Sequence, residues 1–95
     1  MFVFHSVYLK PIEEVDLHLP AHRAFLKDLY DRGITVCSGP QVPRTGGLIM
    51  LKAVNPAAAL RIMQDDPYVI PGVAEYSMIE FEVKSCAEAF NVLLD

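Results

Sequence analysis

Apolar and polar residues follow one another along four stretches of the chain in patterns typical of β-strands. Each stretch is rich in β-branched and aromatic residues and is bounded by Pro, Gly or charged residues. The predicted strands cover residues 2–9, 33–42, 47–54 and 74–83. The second and third are joined by Pro43-Arg44-Thr45-Gly46, which is a hairpin-type sequence.

Two helical patterns lie between these strands, at 20–32 and 56–65. Pro20 suits the first turn of a helix, and Gly33 suits the left-handed residue that follows its last turn. Asn55 is a typical N-cap residue for the second helix.

A third helix is expected at about 86–94, because Ser85 and Glu88 have the spacing of a capping box. Up to residue 83 the order of elements is strand, helix, strand, strand, helix, strand. This order predicts a ferredoxin-like α+β fold (βαββαβ) with a four-stranded antiparallel sheet and a C-terminal helix, in a single domain spanning 1–95.

Both faces of the predicted sheet carry apolar residues. On the first strand the two sets are Phe2, Phe4 and Tyr8 against Val3, Val7 and Leu9, and on the third they are Ile49 and Leu51 against Leu48 and Met50. Two helices can cover only one face, so we expect the second face to pack on that of another copy, as in a dimeric α/β barrel. The alternative is that the C-terminal helix folds over this face.

Composition and charge exclude several classes of function. The chain has 95 residues, of which 53% are apolar, and its net charge is −4 with no cluster of basic residues. Nucleic-acid binding is therefore not expected. The sequence has neither the start of a signal peptide nor an apolar run of about 20 residues, so no membrane association is expected. Cys37 and Cys86 have no metal or redox spacing, which favours reduced thiols and a cytoplasmic protein.

His22 is the first candidate for chemistry. It lies one turn before Phe25 and Leu26, on the apolar stripe of the 20–32 helix and away from the charged side. A histidine in that position faces the interior, where a nearby carboxylate would fix its tautomer. A hydrogen-bonded structural histidine is the competing interpretation.

Asp66 is the carboxylate best placed to meet His22, because it ends the second helix and the two helices share one sheet face. Pro67 restricts the backbone of Asp66 to extended conformations and so fixes its direction. Its alternative role is to cap the turn that begins at Pro67.

Weaker signals occur elsewhere. Ser38 and Gly39 end the second strand, where a hydroxyl and a closely approaching backbone could contact a ligand. His5 lies on the first strand, where a place between packed sheets competes with a ligand-binding role. No spacing typical of metal ligands or of a phosphate loop occurs, so neither a metal nor another cofactor is expected.

The sequence resembles the YciI-like family over roughly residues 1–83. The segments that carry the resemblance are His22 with Phe25-Leu26 and Leu29, Gly33 to Gly39-Pro40, Gly47, Asp65-Asp66-Pro67-Tyr68, Gly72 and Phe81. Arg23 departs from the pattern, since relatives usually have an apolar residue after the histidine.

The resemblance implies a ferredoxin-like dimer similar to muconolactone isomerase, with His22 and Asp66 as a catalytic pair. It places Ser38 near this pair. Together with the signals from the residues themselves, we expect Ser38, Gly39, His5 and Tyr68 to contact the substrate. For some branches of the family, a lyase or dehydrochlorinase-like activity on hydroxylated aromatic rings is suggested.

Three hypotheses about function follow. The first is an enzyme in which His22 is the general acid–base and Asp66 orients it, for isomerisation or elimination on a small cyclic or aromatic metabolite. The second is a non-catalytic metabolite-binding or accessory dimer that uses the same pocket, and the third is a structural subunit. No nucleophile–base pair is visible, which disfavours hydrolysis.

Overall fold

The computed structural model describes residues 1–94, which form four strands, three α-helices and one 3₁₀ helix. In chain order these are β1 (Phe2–Tyr8), α1 (Ile12–Asp16), α2 (Leu19–Asp31), β2 (Thr35–Pro40), β3 (Gly46–Leu51), α3 (Pro56–Met63), β4 (Ala74–Glu80) and the 3₁₀ helix Glu88–Leu94. Within this part of the chain no helix has the length and apolar character needed to cross a membrane.

The strands form one sheet in the order β2-β3-β1-β4, and every pairing is antiparallel. Val3 in β1 is level with Met50 of β3 on one side and with Ile79 of β4 on the other. The order confirms the expected ferredoxin-like α+β fold.

The core lies between the sheet and the helices α2 and α3. Its buried residues alternate along the strands and come from the inner side of each helix. They are Phe2, Phe4, Leu29, Ile49, Leu51, Ala59 and Met63. The buried strand residues form one of the two alternating apolar sets, and the sequence pattern alone did not decide which set faces inward.

Two predicted helix-boundary residues, Gly33 and Asn55, have the expected roles, whereas α2 begins one residue before Pro20 and α3 ends at Met63 rather than at 65. Gly33 has a φ of 72°, the left-handed conformation that favours glycine after a helix. The Asn55 side chain accepts a 2.8 Å hydrogen bond from the backbone N–H of Ala58 at the start of α3.

Two helical segments differ from expectation. The sequence pattern missed α1, because five residues are too few to show a helical period; only Val15 of this helix is buried. The C-terminal segment is a 3₁₀ helix that begins at Glu88, with an interruption at Phe90 and no buried residue. A segment this short has little helical stability without a packed face.

The second face of the sheet is open in the single chain. Val7, Leu48 and Ile79 lie on it and are 46%, 45% and 67% exposed. The C-terminal 3₁₀ helix does not cover this face; its carbonyl at Val92 instead accepts a hydrogen bond from the Lys52 side chain.

Candidate active site

The helix α2 brings His22 to the helix-covered side of the sheet. The side chain is 13% exposed, and its Nδ1 atom lies 2.8 Å from Oδ1 of Asp66. The predicted neighbours are thus in direct contact, although they are 44 positions apart in sequence.

Asp66 lies in the turn after α3 and is fully buried. Its backbone N–H donates to the carbonyl of Met63, and its own carbonyl accepts from Val69. The same carboxylate accepts a 2.9 Å hydrogen bond from the backbone N–H of Tyr68, two residues ahead, as a turn-capping aspartate does. Asp66 therefore both caps its turn and binds His22.

The carboxylate of Asp66 has a third donor, the hydroxyl of Tyr76, which bonds Oδ2. An ionised carboxylate acts only as an acceptor. The proton on the His22–Asp66 contact then belongs to Nδ1 of the imidazole, which leaves Nε2 of a neutral His22 as the free, basic nitrogen. Among residues 1–94, Nε2 has no hydrogen-bond partner.

Tyr68 fixes the plane of the His22 ring. The two rings are stacked, with centroids 3.9 Å apart and planes within 8° of parallel. Tyr8 in turn meets Tyr68 edge to face at 6.0 Å. Burial raises the pKa of Tyr68, which keeps its ring neutral beneath the imidazole.

Tyr76 is a member of this cluster that the sequence analysis missed. Burial, and then the neighbouring charge of Asp66, raise the pKa of Tyr76 well above its usual range, so its hydroxyl stays a donor to the carboxylate. The sequence contains an indication of this role, because Tyr76 occupies an inward-facing position of β4 and a buried tyrosine hydroxyl needs a hydrogen-bond partner.

A pocket of about 340 Å³ opens beside His22. Its walls come from β1, β4, α2, the β2–β3 hairpin and the turn after α3. They include Ser6, Tyr8, Leu19, His22, Arg23, Leu26, Ser38, Gly39, Pro40, Arg44, Gly47, Tyr68 and Tyr76. This volume lies at the lower end of the usual range for small-molecule sites and suits a single ring with substituents.

Of the four residues predicted to contact a ligand, three line the pocket and one does not. Ser38, Gly39 and Tyr68 line the pocket, and the Ser38 hydroxyl shares a 2.7 Å hydrogen bond with that of Tyr30. His5 lies on the open face of the sheet and meets Gln41 at 2.9 Å, so it does not adjoin His22.

Arg44 also escaped the sequence analysis as a candidate. It reaches from the β2–β3 hairpin to Asp16, at 2.7 Å, and its Nε donates to the Tyr8 hydroxyl at 3.3 Å. The hydrogen bond to Asp16 raises the pKa of Arg44, so this guanidinium is held in place as a permanent cation. No sequence spacing connects these residues; only the fold brings the hairpin to α1.

Metal binding has no support from the arrangement. Within residues 1–94, no three His, Cys, Asp or Glu side chains are grouped in a way that could hold an ion. The groups that the pocket offers to a ligand include the imidazole of His22 and the polar and aromatic side chains of its walls.

Comparison with known proteins places the chain in a family. No curated protein matches the sequence. A solved structure, the 5-chloro-2-hydroxyhydroquinone dehydrochlorinase TftG from Burkholderia phenoliruptrix AC1100 in complex with 2,5-dihydroxybenzoquinone, is similar to it with a TM-score of 0.70 and 16% sequence identity. The likeness covers 85% of this chain and 93% of that one, and it shows a common fold. Since residues 1–82 match the model of the YCII-related domain, the protein belongs to the YCII-related domain family.

Proposed function

We propose that the protein is a cofactor-independent enzyme of the lyase or isomerase type, in which His22 is the general acid–base and Asp66 orients it. Its substrate is a small cyclic or aromatic metabolite bound in the pocket beside His22. Ser38, Gly39 and Tyr68 contact that ring.

One observation carries this proposal. His22 borders a cavity of ligand size, its Nδ1 is tied to a buried carboxylate 2.8 Å away, and its Nε2 is left without a partner among residues 1–94. A purely structural histidine would use its second nitrogen or bury it. A general base instead needs one nitrogen fixed and the other facing the reacting group.

The proposed reaction needs only a proton acceptor. Nε2 of His22 takes a proton from a ring carbon or hydroxyl, and the electron pair left behind forms a new double bond. In an elimination, a leaving group departs with its bonding pair; in an isomerisation, the imidazolium returns the proton to another atom. Asp66 stabilises the imidazolium during this step, because it is an acceptor in contact with Nδ1.

The similar dehydrochlorinase supports the choice of probe. That protein is named for loss of hydrogen chloride from a chlorinated hydroxyhydroquinone, and it was solved with a hydroxylated quinone. A ring of this size suits a pocket of about 340 Å³ here, and the planar surface of the stacked His22–Tyr68 pair suits an aromatic substrate.

The first test measures chloride release from 5-chloro-2-hydroxyhydroquinone. We expect His22→Asn to lower the rate by roughly 10²–10⁴-fold, the usual contribution of one positioned acid–base group, while the ligand still binds. Asp66→Asn should also lower the rate, because the amide can present its N–H to Nδ1 and favour the wrong tautomer.

His18→Asn is the matched control, since His18 is the N-cap of α2, has no side-chain capping bond and lies outside the pocket lining. Thermal melting of each variant separates loss of fold from loss of chemistry. A His22→Asn variant that keeps wild-type turnover contradicts the proposal. Tight binding of the probe by the wild type without any turnover favours the non-catalytic binding module.

We further propose that the functional unit is a homodimer in which the open sheet faces of two copies pack together. Support comes from Val7, Leu48 and Ile79, which remain exposed on one face while the opposite face is covered by helices. A contiguous apolar surface of this kind is typical of a protein interface. His5 lies on the same face and would enter that interface.

A further inference from the structure

The charged residues that line the pocket are all basic. They are Arg23 and Arg44, and no carboxylate from residues 1–94 lines the pocket with them. This is unexpected in a chain with 12 acidic against 8 basic residues and a net charge of −4. Two carboxylates contact wall residues without lining the pocket: Asp66 is fully buried and bonded to His22, and Asp16 is bonded to Arg44.

The two arginines are arranged differently. Arg44 is anchored by Asp16 and by the Tyr8 hydroxyl, and its guanidinium lies 5.5 Å from the centre of the Tyr8 ring. Arg23 follows His22 on α2, is exposed, and has no acidic partner among residues 1–94. The site therefore holds two cations beside His22. The guanidinium of Arg44 is oriented by Asp16, and that of Arg23 has no acidic partner among residues 1–94.

The helix adds to the same sign of charge. Arg23 and His22 lie near the beginning of α2, where the aligned peptide dipoles give a partial positive charge. Inside a cleft bordered by apolar and aromatic walls, such charges act more strongly than on an open surface. The pocket thus offers two guanidinium cations to a ligand although the molecule as a whole has a negative net charge.

We propose that the ligand of this pocket is an anionic ring, a cyclic compound bearing a carboxylate or an ionised hydroxyl, and that Arg23 and Arg44 recognise the anionic group. This inference builds on the proposed function and names its substrate class. Arg23 supplies the mobile, direct contact. Arg44 supplies a fixed guanidinium that has further N–H donors besides the two used for Tyr8 and Asp16.

The experiment compares two probes that differ in charge at one substituent, 2,5-dihydroxybenzoate and 2,5-dihydroxybenzamide, by calorimetric titration at low salt. The wild type should bind the benzoate at least about tenfold more tightly than the benzamide, as charge-assisted hydrogen bonds require. Arg23→Gln and Arg44→Gln should each remove most of this preference, because each weakens benzoate binding more than benzamide binding. Arg23→Lys keeps the charge and should retain part of the preference.

Arg61→Gln is the control, because Arg61 is an exposed arginine on α3 outside the pocket and its loss changes the net charge equally. Thermal melts measure the stability of Arg44→Gln, because this substitution also breaks the contact with Asp16. Arg23 has no such contact within residues 1–94. Its variants therefore test the inference if Arg44→Gln is unstable. Equal binding of the two probes by the wild type, or the same loss in Arg61→Gln, overturns the anion inference.

The two proposals fail separately. Benzoate preference is a binding measurement and does not need turnover, whereas the acid–base role of His22 is tested by chloride release. Equal binding of the two probes, together with chloride release that depends on His22, would overturn the inference about charge alone. A strong benzoate preference with chloride release unaffected by His22→Asn would overturn the acid–base proposal alone. Binding of neither probe overturns the anion inference.

Discussion

Asp66 determines the geometry of the site at the scale of single residues. Its two oxygens accept hydrogen bonds from the His22 imidazole, the Tyr68 backbone N–H and the Tyr76 hydroxyl. These donors come from three different parts of the fold, which are α2, the turn after α3 and β4. A buried carboxylate is costly unless its acceptors are filled, so these three donors also stabilise the turn after α3. If any one of these donors is lost, the remaining two must satisfy the whole charge of the Asp66 carboxylate.

Tyr76→Phe tests the donor on the sheet side. Near pH 7 we expect the variant to lose about 1–3 kcal/mol of unfolding free energy, because the buried Asp66 loses a partner. The raised pKa of Tyr76 adds a pH dependence: above about pH 10 the unfolded chain ionises this tyrosine while the folded state keeps its proton. The folded state then binds more protons, so wild-type stability falls as pH rises, by up to about 1.4 kcal/mol per pH unit from this group.

The measurement is chemical denaturation of both proteins between about pH 7 and 11. Since the phenylalanine of the variant cannot ionise in either state, the stability gap between wild type and variant should narrow above about pH 10. Tyr30→Phe is the control, because Tyr30 is 40% exposed and bonds Ser38, away from Asp66. A gap that stays constant over this range would show that Tyr76 is not held as a neutral donor.

The meeting of His22 and Asp66 could be predicted from sequence, whereas the contacts of Arg44 could not. Helical spacing placed His22 on the inner stripe, and Pro67 restricted the backbone of Asp66, which lies in the turn after α3 rather than in the helix itself. Arg44 contacts Tyr8 and Asp16 across 36 and 28 positions of sequence, and no local pattern encodes that contact.

At the scale of elements, the strands and the two larger helices follow from periodicity, but their ends do not. Residues 33 and 34 read as part of the second strand, yet Gly33 closes α2 in a left-handed conformation and β2 begins only at Thr35. The third strand ends at Leu51 rather than 54, because no further pairing with β1 is available once Phe2 is reached. Element ends depend on pairing partners, which lie far away in sequence.

Glycines 46 and 39 give an element-scale prediction about the β2–β3 hairpin. A Cβ at Gly46 would lie 1.8 Å from the backbone oxygen of Ser6, so Gly46→Ala must push β1 and β3 apart. At Gly39 a Cβ meets nothing within 4 Å. Gly46→Ala should therefore destabilise the fold by about 1–3 kcal/mol or more, the cost of overpacking. Gly39→Ala should be close to neutral or slightly stabilising, by up to about 1 kcal/mol.

Thermal melts of the two variants, with circular dichroism to follow the sheet, decide this prediction. The two substitutions add the same methyl group to strands joined by one hairpin, so the difference between them reports space alone. Equal melting temperatures would mean that the β1–β3 contact at Ser6 is looser than the structure has it.

At the scale of the whole molecule, the two sheet faces differ in what covers them. The inner face packs on α2 and α3 and holds the fully buried residues Phe2, Phe4 and Leu51. On the outer face Val3 and Met50 are only partly buried, and three further apolar side chains are more exposed still. Covering that face with a second copy would remove apolar surface from water at about 25 cal/mol per Å² before the costs of association.

Ile79→Glu tests that arrangement, because it would place a buried, unpaired charge between the packed sheets of two copies, which is unfavourable. Ile79 is 67% exposed in the single chain, so the substitution should leave the fold of each subunit intact. Light scattering at micromolar concentration should give the wild type a mass of at least twice the 10.6 kDa chain and the variant a mass near that of one chain. Leu60→Glu, at a 52% exposed position of α3 on the other side of the sheet, should remain associated like the wild type. A monomeric wild type, or a variant that associates as strongly as the wild type, would contradict packing through this face.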